Sequence, residues 1–261
     1  MSYDCAACRQ PLSGFGNATI LNKYQVAYFR CSSCGFITTE KPYWLAEAYA
    51  EPIAREDIGL VSRNLHISSA VDGIIKAFFR DGRAFLDYGG GTGLFVRLMR
   101  DQGHEFYWYD QHTKNMFAMG FEVDRPFTQR FDLVTAVEVM EHLERPDSFL
   151  EEVFSWTDSL LFTTELVPAS VPKPGEWWYY ALEAGQHISL FTRKSLNCLA
   201  AAYGLQLHTC GGIHLLTRRH LSERAFHLVF HPLAGRLLRR YYAKPSLLAR
   251  DYEALTGKRL C

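Results

Sequence analysis

A glycine cluster, DYGGGTG at residues 87–93, lies between a short apolar run and an amphipathic segment. Glycine has no Cβ, so Gly89, Gly91 and Gly93 let the backbone turn sharply and approach a ligand closely. The following segment, FVRLMRDQG, is predicted to be a helix closed by Gly103, and the first N–H groups of a helix lack partners within it. The cluster therefore predicts a strand–loop–helix unit that binds a ligand.

Apolar runs alternate with amphipathic segments over the central part of the chain. Strands are predicted at AFLDY, EFYWYD, FDLVTAVEV and SLLFTTELV, helices at FVRLMRDQG, LERPDSFLEEVFSW and RKSLNCLAAAYG, and a closing pair of strands at LQLHTCGG and IHLLTRR. This alternation predicts an α/β fold with a mostly parallel sheet covered on both faces. Hydrophobic residues make up 48% of the 261-residue chain, enough for one sizeable domain and a small appendage.

The spacing of the glycines excludes two nucleotide-binding motifs. In a G-x-G-x-x-G frame that starts at Gly89, the third glycine is replaced by Leu94, and in the frame from Gly91 it is replaced by Val96. A G-x-x-x-x-G-K-[ST] motif is also absent from the sequence. Asp110 follows the next predicted strand, where an acidic side chain can accept hydrogen bonds from ribose hydroxyls. The alternative is that Asp110 caps a helix or lies on the surface.

Four of the seven cysteines form two close pairs, Cys5-x-x-Cys8 and Cys31-x-x-Cys34. Four thiolates in this arrangement can close a tetrahedral zinc site with no open position, so we predict a structural zinc ribbon. The alternatives are a redox pair or coincidence. A ribbon of this size buries little core, and the metal is expected to supply much of its stability.

The acid-first form of the glycine cluster resembles motif I of class I S-adenosylmethionine-dependent methyltransferases. FDLVTAVEVMEHLERPDSFLEEV resembles the fourth motif of that family, and LLFTTELVP, which ends near Glu165, resembles its next strand. The resemblance covers roughly residues 45 to 215. It implies a doubly wound, Rossmann-like sheet, with Glu138, Glu141 and His142 lining the reaction pocket. The segment WWYYALEAGQHISLFTRKSL resembles a loop and helix found in a bacterial subgroup of the family, and this subgroup is associated with modification of sugars and surface polysaccharides.

The resemblance implies S-adenosylmethionine as cofactor. The predicted cofactor-binding residues are Asp87, Gly89, Gly91, Gly93, Asp110, Glu138 and Arg63. Arg63 is predicted to meet the cofactor carboxylate, with a surface salt bridge as the alternative. The segment from Asp110 to Asp132 is shorter than the family's, leaving Phe117 and Phe121 as candidates for the adenine ring by position only.

Two histidines are the predicted catalytic residues. His187, in AGQHIS, is the first choice as general base, and His142 is the second. Either histidine can instead have a structural role, binding a backbone group or anchoring the start of a helix. Trp177, Trp178, Tyr179 and Tyr180 can form an aromatic wall for a sugar, or a lid that packs on the core.

The segments predict four regions: a zinc ribbon at 1–42, a helical lid segment at 43–80, a Rossmann-like methyltransferase domain at 81–217 and a helical basic tail at 218–261. The N-terminal sequence lacks a secretory signal and no apolar run is long enough to span a membrane, so a cytoplasmic location is expected.

The predicted activity is methylation of a small molecule, and the expected small molecule is a sugar or a glycan precursor. An rRNA or tRNA methyltransferase is an alternative, against which the formal net charge of zero argues. A non-catalytic zinc-ribbon binding module with a relic cofactor fold is another. The sequence does not decide the oligomeric state or whether the methylated atom is O, N or C.

Overall fold

The structure, a computed structural model, describes residues 4–50 and 58–259. The strands are β1 Leu12–Ile20, β2 Tyr24–Cys31, β3 Ile37–Thr39, β4 Phe85–Tyr88, β5 Phe106–Tyr109, β6 Leu133–Ala136, β7 Ser159–Thr163, β8 Ser189–Leu190, β9 Gln206–Cys210 and β10 Ile213–Thr217. The helices are α1 Leu45–Ala48, α2 Leu60–Phe78, α3 Leu94–Asp101, α4 Pro146–Val153, α5 Arg193–Ala202, α6 Glu223–Val229, α7 Pro232–Tyr241 and α8 Leu248–Thr256. Single 3-10 turns occur at Met140–His142 and Trp178–Tyr180.

The larger sheet has the strand order β5-β4-β6-β7-β10-β9. Strand β4 pairs in parallel with both β5 and β6, and β9 and β10 form an antiparallel pair. Buried strands such as Ser159–Thr163 have no polar-out alternation, as expected where helices cover both faces of a sheet. The predicted α/β, doubly wound fold with a parallel-dominated sheet is therefore confirmed.

The short segment after β5 contributes one bridge instead of a full edge strand. Glu122 pairs in parallel with Trp108, and the N–H of Trp108 donates to the carbonyl of Phe121 at 2.8 Å. The short length of the segment between Asp110 and Asp132, noted in the sequence, is consistent with this single bridge.

The smaller sheet has the order β1-β2-β3-β8. Its first three strands come from the N-terminal region, but the fourth, Ser189–Leu190, begins two residues after His187. Leu190 pairs with Ile37 and Ser189 with Thr38, both antiparallel. The core beneath this sheet includes Val26, which is completely buried.

The chain forms two compact units. Among the described residues, the first unit contains 4–50, 137–155 and 161–218, and the second contains 58–136, 156–160 and 219–259. Each unit therefore combines segments that are distant in sequence. The four predicted regions remain a prediction, and residues 51–57 of the proposed lid segment lie outside the described residues. No helix within 4–50 or 58–259 has the length and apolar character needed to cross a membrane.

Candidate functional site

The glycine loop of the second unit follows β4 and precedes α3. Gly89, Gly91 and Gly93 have φ angles of 70°, 52° and 83°, in the left-handed region that favours glycine. A Cβ on Gly93 would collide with the Asn115 side chain, whereas a Cβ on Gly91 would meet no atom within 4 Å. The loop is thus tightly packed at Gly93 and open at Gly91.

Gly90 is a loop residue that the motif spacing did not single out. A Cβ at this position would lie 2.6 Å from the Trp108 ring. The N–H groups of Gly89 and Gly90 both donate to the Tyr109 carbonyl, at 2.8 and 3.0 Å. The unbroken run of three glycines is visible in the sequence, but the contact with Trp108 that requires glycine at position 90 is not.

Asp110 holds the loop through backbone hydrogen bonds. Its Oδ2 accepts from the N–H of Gly91 at 2.9 Å, and its Oδ1 accepts from the N–H groups of His112 and Thr113 at 2.7 and 2.8 Å. A carboxylate has about four acceptor sites, so capacity for one further donor remains. Both a structural and a ligand-binding role are compatible with this geometry.

Asp87 is buried at the end of β4, with 1% of its surface exposed. Its Oδ1 accepts from the Thr135 hydroxyl at 2.7 Å. Burial raises the pKa of Asp87 to about 7, the Thr135 hydrogen bond opposes this increase, and the charge of Asp110 adds to it. Burial therefore favours the protonated form of this carboxyl group.

Three further predicted residues occupy distinct positions in the second unit. Arg63 lies in the first turn of α2. Phe117 is 50% exposed, and its N–H donates to the carbonyl of Thr92 in the glycine loop at 3.0 Å. The Phe121 ring instead lies against the Arg100 guanidinium, and the distance from its centroid to Arg100 Cζ is 3.6 Å. Phe117 is thus the better placed of the two phenylalanines to contact a ligand at the loop.

Glu138, in the first unit, lies in a strained turn after β6. Its φ is 54°, which is unusual for a residue with a side chain. Thr163 stabilises this conformation, because its Oγ1 accepts from the N–H of Glu138 at 2.9 Å and donates to Glu138 Oε1 at 2.6 Å. Backbone strain of this kind concentrates at functional sites. The role of Glu138 in cofactor binding stays a prediction.

Glu141 is completely buried in the same turn. Its Oε1 accepts from the Tyr179 hydroxyl at 2.8 Å, and its main-chain carbonyl accepts from the N–H of Ile188 at 2.9 Å. Burial raises the pKa of Glu141 to about 8, and the charge of Glu138 adds to this increase. The resemblance placed Glu141 in the pocket, but its contact with Tyr179 was not visible in the sequence.

His142 and His187 lie side by side, with ring centroids 5.0 Å apart. The Tyr49 hydroxyl is 2.8 Å from His142 Nδ1, and His187 Nδ1 is 2.7 Å from the Tyr179 carbonyl oxygen. Burial lowers the pKa of His142 to about 3, and His187 adds to the decrease, so His142 is neutral at physiological pH. A neutral imidazole can accept a proton or bind a metal.

The four aromatic residues at 177–180 do not form one wall. Tyr179 and Tyr180 are each only 1% exposed, whereas Trp178 is 74% exposed. Tyr180 packs edge-to-face on Tyr28, and its hydroxyl donates to the carbonyl of Pro172 at 2.8 Å. The two tyrosines are core residues, as the alternative interpretation expected, whereas Trp177 is partly buried and Trp178 is the most exposed of the four.

The four N-terminal cysteines converge at one end of the small sheet. All four Sγ atoms lie within 4.8 Å of one another, with Cys5 and Cys34 separated by 3.5 Å and Cys8 and Cys31 by 3.4 Å. Tetrahedral zinc with Zn–S bonds of about 2.3 Å requires sulfur separations of roughly 3.8 Å, so the donor set fits zinc. Sharing of a proton with Cys34 lowers the pKa of Cys5 to about 5, and the pKa of Cys34 rises correspondingly.

Residues 63–209 match a protein-family model described as "Methyltransferase domain". The match includes the glycine loop, the Glu138–His142 turn and His187, and it covers more than half of the chain. The chain therefore belongs to this methyltransferase-domain family, as the motifs predicted.

The particular relatives are distant. Demethylspheroidene O-methyltransferase from Rhodobacter capsulatus is 30% identical over 122 residues, which are 40% of this chain and 30% of that protein. The chain thus spans less than a third of this curated relative. The plantazolicin methyltransferase BpumL, solved with a monoazolic desmethylPZN analog and SAH, superposes with a TM-score of 0.50 at 11% identity. That match covers 76% of this chain and 87% of BpumL, and it supports the fold.

The magnesium protoporphyrin IX methyltransferase of Synechocystis PCC 6803, solved with bound SAH, matches at 13% identity over 68% of this chain and 96% of that protein, with a TM-score of 0.42.

Proposed function

We propose that this protein is an S-adenosylmethionine-dependent methyltransferase that methylates a small hydroxylated molecule. The observation that carries the proposal is the glycine loop: three left-handed glycines, an open position at Gly91 and two flanking acids, in a chain of the methyltransferase-domain family. S-adenosylmethionine supplies an activated methyl group, so the protein mainly has to align donor and acceptor.

The open position at Gly91 supports cofactor binding by the loop. The backbone there has room for close approach, and one acceptor site of Asp110 remains for a hydroxyl donor. Asp87, Gly89 and Gly93 are proposed to hold this shape. Arg63 and Glu138 stay predicted cofactor residues.

His187 and His142 are proposed to act on the acceptor. The hydrogen bond from His187 Nδ1 to a carbonyl requires the proton to be on Nδ1, which leaves the lone pair on Nε2. That nitrogen can activate a hydroxyl, and an O-methyltransferase relative is consistent with oxygen as the methylated atom. A sugar or glycan precursor remains the proposed substrate class, since the exposed ring of Trp178 offers a face on which a sugar can stack.

The four cysteines are proposed to hold a structural zinc ion. Strand β3 of the cysteine-rich region pairs with β8, which begins two residues after His187. The zinc site would therefore stabilise the backbone that positions the proposed catalytic histidine. The predicted cytoplasmic location also stays a proposal.

Isothermal titration calorimetry with S-adenosylmethionine tests the cofactor proposal. We expect stoichiometric binding by the wild type and a loss of at least tenfold in affinity for Asp110→Leu, which removes the acceptor oxygens. Gln111→Leu, one residue away, is the control. An absence of binding by the folded wild type would favour the non-catalytic module. An acceptor panel of nucleotide sugars, phenols and tRNA then identifies the substrate class.

A further inference from the structure

Glu141, His142 and His187 each offer one ligand atom, and these atoms lie within 4.8 Å of one another. Two imidazole nitrogens and one carboxylate oxygen form a donor set typical of divalent transition metals. We propose that these three residues bind a divalent cation that takes the acceptor hydroxyl in its open coordination positions. The part of this proposal in which the cation binds the acceptor rests on the proposed function, whereas binding of the cation itself does not.

A neighbour holds the second polar atom of each ligand residue. The Tyr179 hydroxyl donates to Glu141 Oε1, the Tyr179 carbonyl accepts from His187 Nδ1, and the Tyr49 hydroxyl pairs with His142 Nδ1. In metal sites the nitrogen of histidine that does not bind the metal almost always has such a partner, which fixes the ring and its tautomer. The Nε2 atoms of both histidines are therefore the expected ligands.

The second carboxylate oxygen of Glu141, Oε2, is placed to bind a cation. Its Oε2 is buried and has no hydrogen-bond partner among the described residues, although the other oxygen is satisfied. An unpaired carboxylate oxygen in a buried position costs free energy that a cation can offset.

Backbone contacts fix the distance between the two ligand segments. The N–H of Ile188 donates to the Glu141 carbonyl at 2.9 Å, and the Ser189 hydroxyl donates to the Leu143 carbonyl at 2.6 Å. The ligand residues therefore flank a hydrogen-bonded connection between the Met140–His142 turn and the start of β8. A site held in this way is preorganised for a metal, since ordering of the ligands is already complete.

The chemistry of the donor set also narrows the cation. Imidazole nitrogen with carboxylate oxygen suits Mn²⁺, Fe²⁺, Co²⁺ or Zn²⁺, while thiolates are absent from this cluster. Three protein ligands leave positions open, and a cation bound there would lower the pKa of a coordinated hydroxyl group. Under this proposal the two histidines activate the acceptor through the cation: the coordinated hydroxyl would lose its proton to bulk water, and its oxygen would then displace the methyl group from the sulfonium sulfur of the cofactor, which leaves as the thioether.

Titration of the full-length, zinc-loaded protein with Mn²⁺, followed by electron paramagnetic resonance, tests the site. Mn²⁺ prefers oxygen and nitrogen ligands to thiolates, so it reports the histidine site and not the cysteine site. We expect about one Mn²⁺ per wild-type chain. We expect His187→Ala and Glu141→Gln to weaken binding at least tenfold, and Tyr49→Phe to weaken it about tenfold through His142.

His227→Ala is the control, because this half-exposed histidine lies in α6 beside Glu223 and should leave Mn²⁺ binding unchanged. Circular dichroism confirms that each variant is folded, and Glu141→Gln keeps the shape of the side chain. No Mn²⁺ binding by the wild type, or equal binding by wild type and Glu141→Gln, would overturn the proposal. Mn²⁺ binding without S-adenosylmethionine binding would instead overturn the proposed function and leave the metal site standing.

Discussion

The glycine loop and the histidine cluster use opposite means to form a site. The loop presents backbone, and its shape comes from Gly89, Gly91 and Gly93 within one short stretch. The histidine cluster, made of Glu141, His142 and His187, presents ionisable side chains. Its hydrogen-bond partners Tyr49 and Tyr179 come from other parts of the chain. A backbone site suits recognition of an invariant ligand, whereas a cluster of polar side chains suits chemistry.

The two regions also differ in what stabilises them. Asp110 accepts one hydrogen bond from the loop, at the N–H of Gly91, and two from the backbone that follows it, at His112 and Thr113. The histidine cluster depends on β8, which pairs with β3 of the cysteine-rich sheet. We therefore expect perturbation of the cysteines to affect the histidine cluster and to spare the loop.

Cys31→Ser should have the largest effect. If the four cysteines hold the proposed zinc ion, loss of one ligand would remove binding free energy on the order of 10 kcal/mol from the N-terminal sheet, and β3 would no longer support β8. We expect zinc content near zero and loss of turnover, with S-adenosylmethionine binding retained. Metal analysis and calorimetry measure the two properties, and Cys198→Ser, outside the cluster, serves as the control. Simultaneous loss of cofactor binding in folded protein would break the contrast between the regions.

His187→Ala tests the chemical half of the comparison alone. Turnover should fall about 100- to 10,000-fold because the group that activates the acceptor is missing. Affinity for S-adenosylmethionine should stay within about twofold. Steady-state kinetics and calorimetry separate the two, with His227→Ala as the matched histidine control. Turnover at the wild-type level would show that His187 has a structural role.

Gly93→Ala and Gly91→Ala test the backbone half. Both substitutions place a side chain at a left-handed φ, which costs about 1 kcal/mol. Gly93→Ala also pushes against Asn115, so we expect a total loss of about 2–4 kcal/mol in urea unfolding. Gly91→Ala should lower the free energy of unfolding only by the cost of the left-handed φ, because its Cβ meets no other atom of the protein. It should weaken cofactor binding, because the Cβ would occupy the space that the cofactor is proposed to enter. Equal unfolding free energies would contradict the packing difference.

The effect of Asp87→Asn on stability should depend on pH. The folded-state pKa of about 7 exceeds the unfolded value of about 3.9, so the folded protein binds more protons between these values. The protonated form of Asp87 therefore makes its full contribution to the free energy of unfolding below a pH of about 4. This contribution is lost as the pH rises through about 7. Thermal unfolding of the ligand-free protein at several pH values should show a decline that Asp87→Asn reduces. Thr135→Val, which removes the opposing hydrogen bond, should steepen the decline.

The features that could be predicted from the sequence are those with a short range along the chain. The glycine spacing at Gly89–Gly93, the strand before it and the helix after it are local, because turn chemistry and hydrophobic periodicity act over a few residues. The cysteine pairs were recognisable for the same reason. Gly90 was missed although its neighbours were assigned, because the contact that excludes a side chain comes from Trp108 on another strand.

The partners of the histidines could not be predicted in this way. No local pattern connects Tyr49 with His142, or Tyr179 with Glu141, since these pairs are far apart along the chain. The same reason applies to the aromatic residues at 177–180, whose spacing did not reveal that Tyr179 and Tyr180 are buried and Trp178 is exposed.

The sequence by itself determined the α/β class, the methyltransferase-domain family and the shape of the glycine loop, because each depends on residue order over short distances. Only the tertiary structure decided that β8 joins the cysteine-rich sheet and that Glu141, His142 and His187 meet. Burial and hydrogen bonding between distant segments set the protonation of those groups. Their chemistry is thus a property of the folded chain, which no short stretch of sequence carries.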